Sequence, residues 1–186
     1  GSVRVIGVVG LDGGMKRWVE GVVGAPGSVS FRRFRPVVSG ANERRQWAEA
    51  LDDAALSRAA REALITPGRS AAMEPTADLL AVLRSAARRA LGQQPFDEQL
   101  LASCALTAGN AVEMDTGEGK TLVGALAAAA FVVGGRRVHV LSVNDYLAER
   151  DAEWMRPLFE LLGISVGWVG QHTPTSTRAE AYEFDV

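Results

Sequence analysis

A chain of 186 residues is long enough for one well-packed core. Its formal charge of −2, from 20 Lys plus Arg against 22 Asp plus Glu, argues against a nucleic-acid binder held by bulk electrostatics. The one cysteine, Cys104, excludes an internal disulfide and fits a reducing cytosol, and with only two distant histidines, His139 and His172, it assembles no zinc site.

In chain order, "GSVRVIGVVGLDGG" is apolar but short, has no small-residue cleavage pattern, and does not read as a signal peptide. Residues 1–40 are rich in Gly, Val and Arg and carry few helical signals. Within them "FRRFRP", Phe31 to Pro36, interleaves aromatics with arginines. Nucleic acid or anionic lipid could bind it, but an edge strand or arm with solvated arginines is the reading favoured. From Ala41 the pattern changes. Trp47, Leu51, Ala55, Ala59 and Ala63, four apart, predict one amphipathic helix. "TPGRSAAMEP" breaks it. A helix then starts behind the cap candidate Thr76 and ends at Gly92 as a C′ residue. Another starts at Asp97, read as its cap, and ends at Gly109.

After Gly109 strand and helix alternate. "AVEMD", "RVHVLSV" and "SVGWV" read as strands, with another beginning near Asp185. "KTLVGALAAAAFVV", "AERDAEWMRPLFELLG" (with a kink at Pro157) and "TRAEAYE" read as helices. This rhythm implies parallel βαβ units. His139 falls in the first of the later strands, in a hydrogen-bonded site, and His172 in a polar loop. The longest apolar run, Ala125 to Val133, is too short to span a bilayer. The chain starts without Met and stops in what reads as mid-element, so we expect a piece of a longer protein.

Lysine occurs only at Lys16 and Lys120; every other basic residue is arginine. A lysine between Gly119 and Thr121 is therefore a choice of chemistry: a compact point charge on a flexible stem. In "AVEMDTGEGKT" a strand runs through a glycine turn into a helix, the context that a phosphate-binding loop requires. Gly117 and Gly119 permit a tight turn with N–H groups facing inward, and the helix beginning near Lys120 aims its positive end at an anion. Lys120 would reach the β- and γ-phosphates of ATP, and the Thr121 hydroxyl would ligate Mg²⁺. Met114 stands where the strict loop pattern has glycine, and Asp115, Thr116 and Glu118 complete the loop, with the Glu118 side chain directed away from the phosphates. The competing reading is a glycine turn that binds nothing.

"EMDTGEGKT" resembles the phosphate loop of the SecA preprotein translocase ATPases, which also begins with Met. "PFDEQL" is similar to that family's glutamine motif, "VHVLSVNDYLAERDAEWM" to its next helicase-type segment, and "LLGISVGWV" and "AYEFDV" follow in order. The resemblance is clear from Leu79 to Val186, extends in weaker form back to Ala41, and does not reach residues 1–40. It implies an α/β fold, a RecA-like P-loop NTPase lobe with a partial parallel sheet and an N-terminal helical region. It divides the chain into a leader of uncertain structure at 1–40, a helical part at 41–109 that includes the glutamine motif, and a P-loop core at 110–186 that stops before the Walker B strand. Asp115 and "LLASCAL" depart from the family's usual residues and point to an accessory paralogue.

The resemblance also implies function. Gln99 would read the adenine edge, because an amide donates and accepts at once; its alternative is an exposed helix polar residue. Phe96 would pack near the base or staple the helix start. Asp145 and Arg150 would couple lobes, or else cap a helix and lie solvated. The implied protein is an ATPase that exports preproteins through the Sec membrane channel. It would lie in the cytoplasm, peripheral on the inner face of the plasma membrane, in contact with anionic lipid, and would bind no nucleic acid. It would work with a second nucleotide-binding lobe, and the present chain alone would be inactive. The alternatives are a related nucleic-acid helicase lobe and a nucleotide-binding module without turnover.

Overall fold

The computed structural model describes residues 3–6, 31–63, 65–67 and 73–186. Its core is built on one helix, α4, Ala77–Leu91, where every residue from Leu79 to Ala87 is buried. These nine residues make about two and a half turns, so the middle of the helix is covered on every side, Arg84 and Ser85 included, while Asp78, Arg88 and Arg89 reach solvent. The Thr76 Oγ1 accepts from the Leu79 N–H at 3.3 Å, and Gly92 closes the helix with φ +64°. Both ends lie where the sequence puts them.

Three short helices cover α4: α1 (Arg35–Glu43), α2 (Arg45–Ala50) and α3 (Asp53–Glu62). The expectation of one helix along this stretch is corrected. Leu51 takes an extended backbone with ψ 142°, and Asp52 opens a new helix by accepting from the Ala55 N–H at 2.7 Å. The break resets the helical phase. Ala41, Ala48, Leu56 and Ala60 are buried, while Trp47, the first member of the expected stripe, is 44% exposed. The edge-strand reading of Phe31 to Pro36 also fails. Phe31–Arg33 is a 3-10 turn, Phe34 is buried in the core, and the Arg33 guanidinium lies 4.4 Å from the centre of the Phe34 ring. Pro36, near the start of α1, enters the helix where its missing N–H costs nothing.

Helix α5 (Asp97–Thr107) packs against α6 (Lys120–Val133), and α7 (Asp145–Leu162) packs against α4. Asp97 is not the cap of α5; Phe96 holds that position, and Asp97 instead accepts from Arg84 and, at 2.9 Å, from the Asn42 Nδ2. Arg84 is buried and also donates to Asn42, so one guanidinium ties α1, α4 and the start of α5. Cys104 is buried on α5, and desolvation pushes its thiol up to about 12. Asn144, not Asp145, caps α7, accepting from the Leu147 N–H at 2.9 Å; the helix runs on through Pro157 to Gly163 at φ +72°. A last helix, α8, spans Thr175–Ala181.

The strands differ most from expectation. Among the described residues, β1 (Val3–Ile6) pairs antiparallel with β4 (Ala111–Met114), Val3 opposite Met114, and β2 (Ile65–Pro67) pairs antiparallel with β3 (Met73–Pro75). No parallel pair of strands is present among them. The two stretches "RVHVLSV" and "SVGWV" and the end at Asp185 do not form strands. Val140, Leu141 and Val143 are exposed at 53%, 94% and 84%, because no neighbour covers them among the described residues. His139 is likewise exposed, with its ring 5.5 Å from that of Tyr182. A few backbone bonds do gather this region: Val138 N–H donates to Asp185 O at 2.8 Å, Val186 N–H to Ser165 O at 3.1 Å, and Gly167 N–H to Val186 O at 3.0 Å.

Candidate functional site

The glycine turn lies between β4 and α6, as the sequence predicts. Two of its residues adopt backbones that only glycine takes easily: Gly117 at φ +89° and Gly119 at φ +81°. Gly119 is the residue before the first turn of α6, so the free N–H groups of that turn face the loop mouth. Met114, the last residue of β4, is buried with Ala102 and Val123 and anchors the loop's near end. Asp115 and Thr116 are exposed and Glu118 is half-buried.

Lys120 is exposed and its Nζ donates to Asp115 O at 2.8 Å, so the ammonium is held across the mouth of its own loop. Thr121 follows, half-buried. A Cβ on Gly117 would meet nothing within 4 Å, which leaves open space on that side of the turn. Room, a cation and free helix-end N–H groups together fit a phosphate group.

Gln99 is neither a solvated helix residue nor remote from the loop. Its Oε1 accepts from the Phe96 N–H at 3.0 Å, closing the first turn of α5, and its Nε2 donates to Glu118 O at 2.9 Å. One side chain thus fixes the phosphate-loop candidate to the start of the neighbouring helix. One amide hydrogen and one lone pair remain for another partner. Phe96 is 71% exposed and does not staple the helix start.

Beside this loop lies a cavity of about 250 Å³ lined by Gln99, Gly119, Thr121, Arg150, Asp151 and Trp154 among others. Arg150 therefore stands next to the loop, where it pairs with Asp151 at 2.6 Å. Asp145 lies elsewhere and accepts from the Gln171 N–H at 2.7 Å. Trp154 is the neighbour that sequence reasoning passed over; its signal was the spacing of four from Arg150, which puts both on one face of α7. No group of residues able to hold a metal ion by itself occurs among the described residues, so a cation here would need the oxygen atoms of its ligand.

Comparison with known proteins gives a consistent answer. The SecA DEAD-like domain family matches residues 19–186, which carries the likeness into the leader, beyond the expected limit at Ala41. The chain is 49% identical over 172 residues to "Protein translocase subunit SecA 2" of Thermobifida fusca, covering 92% of the chain and 22% of that protein. It is 47% identical over 165 residues to the protein of the same name in Mycolicibacterium smegmatis, covering 89% and 21%. To "Protein translocase subunit SecA" of Mycobacterium avium it is 44% identical over 165 residues, again covering 89% and 21%. The chain thus spans about a fifth of the length of these curated relatives.

Proposed function

This chain belongs to the SecA DEAD-like domain family, and from that premise we propose that it is the ATP-binding motor lobe of a protein translocase. The observation that carries the reading is the loop itself: a strand, two glycines at positive φ, and a helix opening on Lys120 and Thr121. Lys120 and the helix-end N–H groups hold the β- and γ-phosphates, Thr121 supplies an oxygen to Mg²⁺, and Gln99 reads the adenine edge with its remaining donor and acceptor. Met114, Asp115, Thr116, Gly117, Glu118 and Gly119 shape the loop. ATP, when bound, supplies the phosphoanhydride bond whose hydrolysis drives the motor.

Family membership carries a RecA-like α/β fold. We infer that the parallel sheet belongs to residues 110–186, behind a helical part at 41–109 and a leader at 1–40. One feature supports it: Val186 bonds to both Ser165 and Gly167, the residues that flank Val166, which is how a parallel neighbour bonds. An apolar cavity of about 290 Å³, lined by Val138, Val140, Met155, Trp168 and Val186 among others, lies along the same line.

The whole protein, in this reading, moves unfolded preproteins into the Sec membrane channel, closing and opening this lobe against a second one. It works in the cytoplasm against the anionic inner face of the plasma membrane and needs no nucleic acid. Among the described residues no helix is long and apolar enough to cross a membrane. The designation SecA 2 of two relatives supports the accessory paralogue.

Calorimetry with Mg-ATP tests the reading. Lys120→Ala should weaken binding about 10- to 150-fold, the value of one charge-assisted hydrogen bond. Gln99→Ala should narrow the preference for ATP over GTP. Equal ATP affinity in wild type and Lys120→Ala would sink the cradle, and an unchanged ATP-to-GTP ratio would leave Gln99 with only its structural bonds.

A further inference from the structure

We propose that Trp154 is the residue on which the nucleobase stacks. The inference rests on the phosphate-cradle reading and extends it to the other end of the ligand. The cavity beside the loop is continuous with the cradle, since Gly119 and Thr121 belong to both. From there its wall passes Leu122 on α6 and Gln99 on α5 to Arg150 and Trp154 on α7. A ligand whose phosphates sit at the α6 end and whose remainder turns into this cavity brings its base between Gln99 and Trp154.

Trp154 suits that place for three reasons. It is 37% exposed, so its indole is neither committed to the core nor fully solvated. Its flat aromatic face lies at a cavity wall, where a flat ligand ring can pack against it. The Arg150 guanidinium, one turn earlier on the same face, is oriented by Asp151 at 2.6 and 3.0 Å and adds a polar edge to the wall. Stacking gives affinity to any base, whereas an amide at the base edge discriminates among bases. The two residues thus divide the labour: Trp154 contributes binding and Gln99 contributes choice.

The test compares Mg-ATP with Mg-tripolyphosphate, which has the phosphates and no base, by titration calorimetry on the full chain. Trp154→Ala should weaken ATP about 5- to 150-fold and leave tripolyphosphate unchanged, and Trp154→Phe should stay within about threefold of wild type. Unchanged ATP affinity in Trp154→Ala, or an equal loss for both ligands, overturns the proposal. Lys120→Ala separates the two levels. If it binds tripolyphosphate as wild type does, the cradle reading fails. If it loses tripolyphosphate while Trp154→Ala keeps its ATP, only the stacking fails. Should Trp154→Ala not fold, a chain with Trp18, Trp47 and Trp168 replaced by Phe leaves Trp154 as the sole fluorophore. Quenching by ATP and not by tripolyphosphate supports stacking; quenching by neither or by both overturns it.

Discussion

A Cβ on Gly119 would stand 2.4 Å from the Gln99 Nε2, on a backbone with φ +81°. Two separate costs therefore fall on Gly119→Ala. The left-handed backbone costs about 1–2 kcal/mol, and the clash displaces the side chain that ties the loop to α5. We expect a lowered denaturation midpoint and weaker ATP binding. Adding Gln99→Ala should recover part of the stability, since the clash vanishes, and the backbone cost should remain. Full additivity of the two changes in urea unfolding would show that the two residues do not meet. This contact also explains what could be read beforehand. The loop is legible because its glycines are demanded by backbone geometry within nine residues. The role of Gln99 as a tie was not, because its partner, the Glu118 carbonyl, is 19 residues away and any residue type supplies a carbonyl.

Elements with strong caps were the legible ones. Thr76 and Gly92 bound α4, and the glycine turn starts α6, all from local chemistry. The stretch from Ala41 to Ala63 misled because alanines every fourth residue fit a continuous helix as well as a broken one. Asp52 as a cap decides for the break, and it sits in "LDD", where either acid could have been a helix surface residue. Arg84 was not legible at all, since nothing in "LRSAARRA" marks which arginine is buried. Its burial makes a prediction. Asp97→Ala leaves the guanidinium with one fewer partner in the interior and should cost about 1.5–3 kcal/mol. Arg84→Met, which removes the buried charge itself, should cost less. Urea midpoints order the two; the reverse order would mean that Arg84 matters for its stem and not its charge.

For the whole molecule, "AVEMD" was legible as a strand, whereas the stretches read as strands after α6 were not, because a parallel strand forms only beside its neighbours and no local residue signals who they are. The C-terminal residues do find a place. Asp185 accepts from both the N–H and the hydroxyl of Ser165, at 2.8 and 2.7 Å, and these bonds hold its carboxyl below the ordinary value of 3.8. A depressed carboxylate contributes stability that is present above 3.8 and fades as pH falls through its lowered value. Acid titration should therefore loosen the contact of residues 185–186 with Ser165 below pH 3.8, and Asp185→Asn should abolish that step. Amide exchange at Val186 would report it, and an unchanged profile in the variant would remove Asp185 as the cause.

Turnover belongs to the same scale, because hydrolysis needs more than a cradle. It needs a carboxylate to hold Mg²⁺ and orient water, and a cation to stabilise the developing charge. Among the described residues no apolar strand ends in paired acids. "ALDD", Ala50 to Asp53, joins α2 to α3, and Asp52 is already used as a cap. Asp185, the acid of "FDV", is committed to Ser165. Asp151 lines the same cavity as Thr121, and it is paired with Arg150. An arginine supplied from another lobe is typically worth about 10³–10⁵ in rate, so a lobe without it shows almost no turnover even with its nucleotide bound. We therefore expect this chain to bind Mg-ATP and to release phosphate far more slowly than about one per second, the low end for working phosphoryl-transfer enzymes. Phosphate release from the purified chain, with Lys120→Ala as the contamination control, measures it. A rate near one per second that disappears in Lys120→Ala would mean that the carboxylate and the cation are already present here, and Asp151 with Arg150 would be the first pair to substitute.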